Sequence, residues 1–134
     1  MFNLTKFIQS FGHAWRGLIY LLRHEQNFQL HLLAGIAALI AGFWLNISYT
    51  EFLIILLLIA FVFMAEIVNT VIEYILDIIH PKYHKKIKIV KDATAGVVLF
   101  ASIVAAVIGL IIFVPKLTLL NIDSASFWPQ LFEL

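Results

Sequence analysis

The chain contains no cysteine, which excludes disulfides, thiolate metal sites and iron–sulfur clusters. Charge is scarce: 13% of the 134 residues are Asp, Glu, Lys or Arg, against about a quarter in a soluble domain. There is no G-x-x-x-x-G-K-[ST] loop and no G-x-G-x-x-G, so neither a P-loop nor a soluble-kinase reading applies. Zinc of the H-E-x-x-H type is excluded too, because the second histidine of His24-Glu25…His31 comes seven residues on and not four. Met1 to Arg23 lacks a continuous apolar core and a small-residue cleavage pattern, so it does not read as a secretory signal. A net charge of +1 gives nucleic acid no footing.

What fills the chain is apolar: 63% of residues are hydrophobic, in runs long enough to cross a bilayer, which takes about 20 helical residues. The reading is a single all-α membrane domain over residues 1–134. Lys6, Gln9, His13, Arg16, Tyr20 and Arg23 recur at spacings of three and four, with Phe7, Phe11, Trp15, Leu18 and Leu22 opposite. That pattern predicts an amphipathic surface helix over about 4–24. Three spans follow, at about 28–47, 52–80 and 90–114, with Pro115 stopping the last and a mixed-polarity tail over 115–134. Ala34, Ala38 and Gly42, and again Ala101, Ala105 and Gly109, are small-residue faces that permit close helix approach in lipid. Trp15, Trp44 and Trp128 read as interface anchors. Three Lys or Arg precede the first span and five lie between Lys82 and Lys91, while the turn 46–51 has none. The positive-inside rule then puts the N-terminus and the basic loop in the cytoplasm and the C-terminus outside.

The second span carries a polar stripe. Glu66, Asn69, Glu73 and Asp77 fall within an arc of roughly 80° on a helix, after the 14 apolar residues Phe52 to Ala65. Those residues cover about 21 Å, so Glu66 lies past the midplane of a ~30 Å core, with Glu73 and Asp77 roughly 10 and 16 Å further out. A carboxylate in lipid is costly and functional by default. Glu25, Lys91 and Asp92 converge on the same membrane face. Carboxylates in reach of one another suit Mg²⁺, which is held by one or two of them plus phosphate oxygens. Lysines cradle phosphate, and a deeper carboxylate at headgroup level can take a proton from a lipid hydroxyl. Those are the parts of phosphoryl transfer. The competing reading is a small cation or proton transporter or channel subunit. A relay, however, needs ionisable groups through the whole membrane depth, and the outer half of the second span and the middle of the third have none.

Ala65-Glu66-Ile67-Val68-Asn69-Thr70-Val71-Ile72-Glu73…Asp77, with Lys91-Asp92-Ala93…Ala95-Gly96, resembles the signature of the small bacterial integral-membrane diacylglycerol kinases, a family that includes undecaprenol kinases. The resemblance runs from about Phe7 to Lys116. It implies a homotrimer of three-span protomers with active sites shared between chains. It further implies ATP-dependent phosphorylation of a membrane lipid alcohol, with ATP as co-substrate and Mg²⁺ as metal. Residue by residue, it implies Glu66 as general base, Glu25 and Glu73 as metal ligands, and Asn69 and Asp77 in support. Lys91 and Asp92 match a pair at the nucleotide phosphates and ribose. Tyr83 and His84 match a loop pair near the adenine, with Lys82 beside them, and Lys6 and His13 occupy nucleotide-contacting positions. Gln29 and His31 differ from the Arg and Glu of the enterobacterial diacylglycerol kinases. The run Asn27 to His31 is more like the undecaprenol-kinase branch. Undecaprenol and diacylglycerol both remain open as substrate, since they differ mainly in tails that any apolar surface accommodates.

Overall fold

A computed structural model describes residues 3–82 and 84–131, with side chains through Thr118. Four helices follow in order: α1 (Leu4–His24), α2 (Gln26–Trp44), α3 (Tyr49–Ile79) and α4 (Lys85–Leu131). α2, α3 and residues 85–118 of α4 are long and apolar enough to cross a membrane. Large apolar side chains such as Leu57, Leu99, Phe100 and Ile111 are exposed. In water that surface would drive association; in lipid it is what a span presents.

Local chemistry sets the breaks. The Asn3 side chain caps α1 by accepting from the Lys6 backbone N–H at 3.1 Å, satisfying one of the orphan donors of the first turn. Arg23 and His24 close α1 at the negative end of its dipole. Glu25 alone separates α1 from α2, in an extended conformation. Gln29 then reaches back to the Leu22 carbonyl at 2.9 Å, fastening the start of α2 to the end of α1. At the far end, Asn46 adopts a left-handed φ of 49°, a conformation that Asn tolerates better than most residues. Ser48 and Glu51 form a reciprocal capping box that starts α3. Lys116 lies 3.5 Å from Glu51, tying α4 to that corner.

α3 packs most extensively on α4 and next on α2, around Ile55, Val62, Val98, Ala101 and Ile112. A Cβ on Gly35 would come within 3.2 Å of Ile59, so α2 and α3 approach closely there. At 31 residues, α3 is about 46 Å long, more than the ~30 Å of hydrocarbon. The surplus is its acidic end.

Two helix bounds differ from expectation. Pro115 does not end its helix, because α4 runs through it to Leu131. The ring removes one backbone donor, a loss that apolar helices absorb by local adjustment. The Thr118 hydroxyl engages the Pro115 carbonyl at 2.8 Å. α4 also starts at Lys85, ahead of the span expected from about 90, since after Pro81 nothing in Lys85-Lys86-Ile87-Lys88 breaks a helix. From the small-residue faces of α2 and α4, Ala34, Ala38, Ala105 and Gly109 line an apolar cavity of about 460 Å³ between α2, α3 and α4, with His31 at one end and Phe113 at the other. The interface roles expected of Phe127, Trp128 and Pro129 fall outside the described side chains.

Candidate functional site

Burial follows the depth order of the stripe. Glu66 is 2% exposed and Asn69 5%, whereas the Asp77 side chain is 61% exposed. Glu66 is the largest fully buried side chain described. Its closest positively chargeable neighbour is on α2, with His31 Nε2 lying 3.9 Å from Glu66 Oε2. Glu73, Glu25 and the Asn27 amide complete its polar surroundings. One turn before it, Val62 lines the apolar cavity that His31 also lines. A buried carboxylate therefore stands beside the His31 end of an apolar cavity.

One turn further on, the Asn69 amide donates to Glu73 Oε1 at 3.1 Å. Its carbonyl oxygen Oδ1 is buried with no protein partner, an arrangement that costs free energy unless something completes it. Glu25 arrives from the α1–α2 break and accepts a hydrogen bond from the Tyr74 hydroxyl of α3. At the exposed end, Lys91 Nζ of α4 is 2.5 Å from Asp77 Oδ1.

The helices thus bring Glu25, His31, Glu66, Asn69 and Glu73 into one neighbourhood and join Asp77 to Lys91. Lys91 and Asp92 do not act on each other, because Asp92 pairs with Lys88 at 2.7 Å one turn back. Lys6 and His13 stand on the exposed surface of α1, where His13 Nδ1 meets Arg16 at 3.0 Å. Neither is linked to the acids. Lys82 is exposed. His84 is as well, with Nδ1 3.3 Å from the Lys86 N–H and its ring 5.8 Å from that of His80. Tyr83 lies outside the described residues.

Could the acids hold Mg²⁺? Among the described residues no three His or acidic side chains form a closed metal cage. Mg²⁺ does not require one, since it keeps waters and takes one or two carboxylates plus substrate phosphate. Glu25, Glu73 and Asn69 Oδ1, which is without a partner among the described residues, are hard oxygen donors of the type that Mg²⁺ takes.

Sequence reasoning passed over Tyr74, Tyr20 and His31 as participants. Tyr74 reads as part of the apolar remainder of α3, although it follows Glu73 directly and has a polar tip. His31 reads only as a departure from a relative. Its proximity to Glu66 depends on how α2 packs against α3, which spacing within one helix does not encode.

Comparison with known proteins places these features in a family. Residues 12–113 match the family model described as prokaryotic diacylglycerol kinase. An undecaprenol kinase from Bacillus subtilis (strain 168) is 46% identical over 115 residues, covering 86% of this chain and 94% of that protein. A diacylglycerol kinase from Synechocystis sp. is 33% identical over 109 residues, covering 81% of this chain and 62% of that protein. The diacylglycerol kinase of Escherichia coli (strain K12) is 29% identical over 105 residues, covering 78% and 86%.

Proposed function

The chain belongs to the prokaryotic diacylglycerol kinase family, and from that premise we propose that it is an ATP-dependent lipid kinase of the bacterial inner membrane. The observation that carries the reading is Glu66, a 2%-exposed carboxylate on an apolar span, beside the His31 end of an apolar cavity of about 460 Å³. The lipid lies with its tail in that cavity and its hydroxyl at Glu66. Glu66 takes the hydroxyl proton as the alcohol oxygen bonds to the γ-phosphorus; the bond from that phosphorus to the β–γ bridging oxygen breaks, and ADP leaves. Undecaprenol is the acceptor we favour, supported by the 46% identity to a protein named undecaprenol kinase.

Glu25 and Glu73 would hold Mg²⁺, with Asn69 orienting Glu73 through its amide. The metal, when bound, supplies charge neutralisation on the phosphates. Lys91, kept in place by Asp77, moves to the phosphates when nucleotide arrives, and Asp92 takes the ribose. Lys82, Tyr83 and His84 form the adenine side.

α1 lies in the cytoplasmic interface with Lys6 and His13 toward nucleotide. The N-terminus and the lysines of the α3–α4 junction are inside, and the C-terminus is outside. Within one chain Lys6 and His13 have no link to the acids, so a shared site in a homotrimer is the arrangement that engages them. A transporter has no support: the cavity is apolar along its length beyond His31 apart from Ser102, which offers no ion path.

The test is purified protein in mixed micelles with Mg-ATP and a panel of undecaprenol, diacylglycerol and ceramide. Phosphate transfer is expected, fastest to undecaprenol. No transfer to any of the three would sink the kinase reading, and a clear preference for diacylglycerol would overturn the choice of acceptor.

A further inference from the structure

The carboxylate of Glu25 is held from outside its own helices. Its backbone is anchored on both sides, with the N–H on Leu21 at 2.9 Å and the carbonyl accepting from Gln29 at 3.1 Å. Its side chain makes no capping bond to α2. It is met instead by the Tyr74 hydroxyl, 49 residues away in sequence, on α3. Tyr74 directly follows Glu73, so one turn of α3 carries both an acid of the stripe and the group that fixes the second acid.

Tyr74 is itself braced. The Tyr20 ring of α1 meets it edge-on, with centroids 6.3 Å apart and planes at 66°. Tyr20 stacks on His24 at 4.2 Å, and His24 Nδ1 lies 2.9 Å from the Tyr20 carbonyl. This aromatic row runs from the end of α1 to α3 and ends on the Glu25 carboxylate. An edge-to-face ring contact restricts the rotamers from which a hydroxyl can donate. A glutamate has several rotamers to lose on binding a ligand, and restraining it beforehand makes the bound geometry easier to reach. The hydroxyl occupies one carboxylate oxygen. The second oxygen remains for a cation.

We propose that Tyr74, braced by Tyr20, is a positioning residue that sets the Glu25 carboxylate for Mg²⁺. The proposal rests on the reading of Glu25 as a metal ligand. Tyr74→Phe removes the hydroxyl and keeps the ring, so the helices stay packed, which an unchanged melting curve checks.

The test uses the full chain in micelles, with Mn²⁺ as a paramagnetic probe titrated by electron paramagnetic resonance in the presence of a non-hydrolysable ATP analogue. Tyr74→Phe is expected to weaken Mn²⁺ binding about tenfold, the worth of one hydrogen bond to a charged group. The Mg²⁺ needed for half-maximal turnover should rise in parallel, with the loss regained at saturating Mg²⁺ and the lipid KM unmoved. Glu25→Gln should weaken Mn²⁺ binding on its own, and Tyr74→Phe added to it should weaken binding no further. If Glu25→Gln weakens the metal and Tyr74→Phe does not, the positioning role is overturned while the ligand reading stands. An additive loss in the double variant also overturns it, because Tyr74 would then act through some other group. A Glu25→Gln protein that binds Mn²⁺ normally overturns the ligand reading itself.

Discussion

His31 Nε2 stands 3.9 Å from Glu66 Oε2, beyond hydrogen-bond length but within ion-pair range, and the two come from different helices. Glu66 is enclosed by protein, and His31 is the only positively chargeable partner the described residues give it. A buried carboxylate whose partner is removed is left as an uncompensated charge. His31→Leu should therefore lower turnover about tenfold or more without changing the Mg²⁺ requirement, because the histidine is not among the residues proposed to hold Mg²⁺. Single-turnover phosphate transfer at saturating Mg-ATP measures this directly. Unchanged turnover would show that Glu66 does not depend on the imidazole.

Glu66→Gln keeps the shape of the side chain and removes its capacity to accept a proton. Positioned acid–base groups contribute about 10²–10⁴-fold, and a loss of that size is expected in turnover with undecaprenol. Mg-ATP binding, followed by calorimetry on the same preparation, should stay close to that of the unaltered chain. An equal loss of nucleotide affinity would mean that Glu66 serves the nucleotide and not the hydroxyl.

The stripe itself was legible because helical periodicity acts within one segment: Glu66, Asn69, Glu73 and Asp77 share a face by spacing alone, and a charge within an apolar run has few bland explanations. The three apolar helices were legible for the same reason. Partnerships between helices were not. Asp77 finds Lys91 and leaves Asp92 to Lys88, a choice made by how α3 and α4 pack. Tyr74 finds Glu25 across 49 residues. Pro115 misled because the rule that proline ends helices comes from water, where released carbonyls are solvated, while in an apolar helix continuing costs less than exposing them.

Asp77 and Lys91 join α3 to α4 through a partly exposed ion pair. Lys91 is 31% exposed and Asp77 61%, and an exposed ion pair adds about 0–1 kcal/mol to stability. Neither Lys91→Met nor Asp77→Asn should alter thermal stability much. Lys91→Met should raise the KM for Mg-ATP about tenfold or more through loss of the phosphate contact. Asp77→Asn, which leaves the lysine in place but unrestrained, should change it by about threefold or less. Initial rates across an ATP titration distinguish the two, and equal effects would make Asp77 a direct participant.

Ala105 lines the cavity on α4, between Ser102 and Gly109 and opposite Ala34 and Ala38 of α2. Every one of those side chains is small, and together they leave about 460 Å³ open. A void lined by apolar atoms forgoes dispersion contacts, so a chain that needed only stability would gain by filling it. Ala105→Leu adds three carbons into that space. It should leave the melting temperature equal or higher, leave Mg-ATP binding unchanged, and raise the lipid KM several-fold. The rise should be larger for a long prenol than for a short-chain, detergent-soluble alcohol, because the short alcohol reaches Glu66 without occupying the middle of the cavity. Ala60→Leu, an exposed position on α3 away from the cavity, serves as the control for surface bulk. If Ala105→Leu leaves the long-chain KM where it was, the tail does not run through this cavity and the acceptor must approach Glu66 from another side.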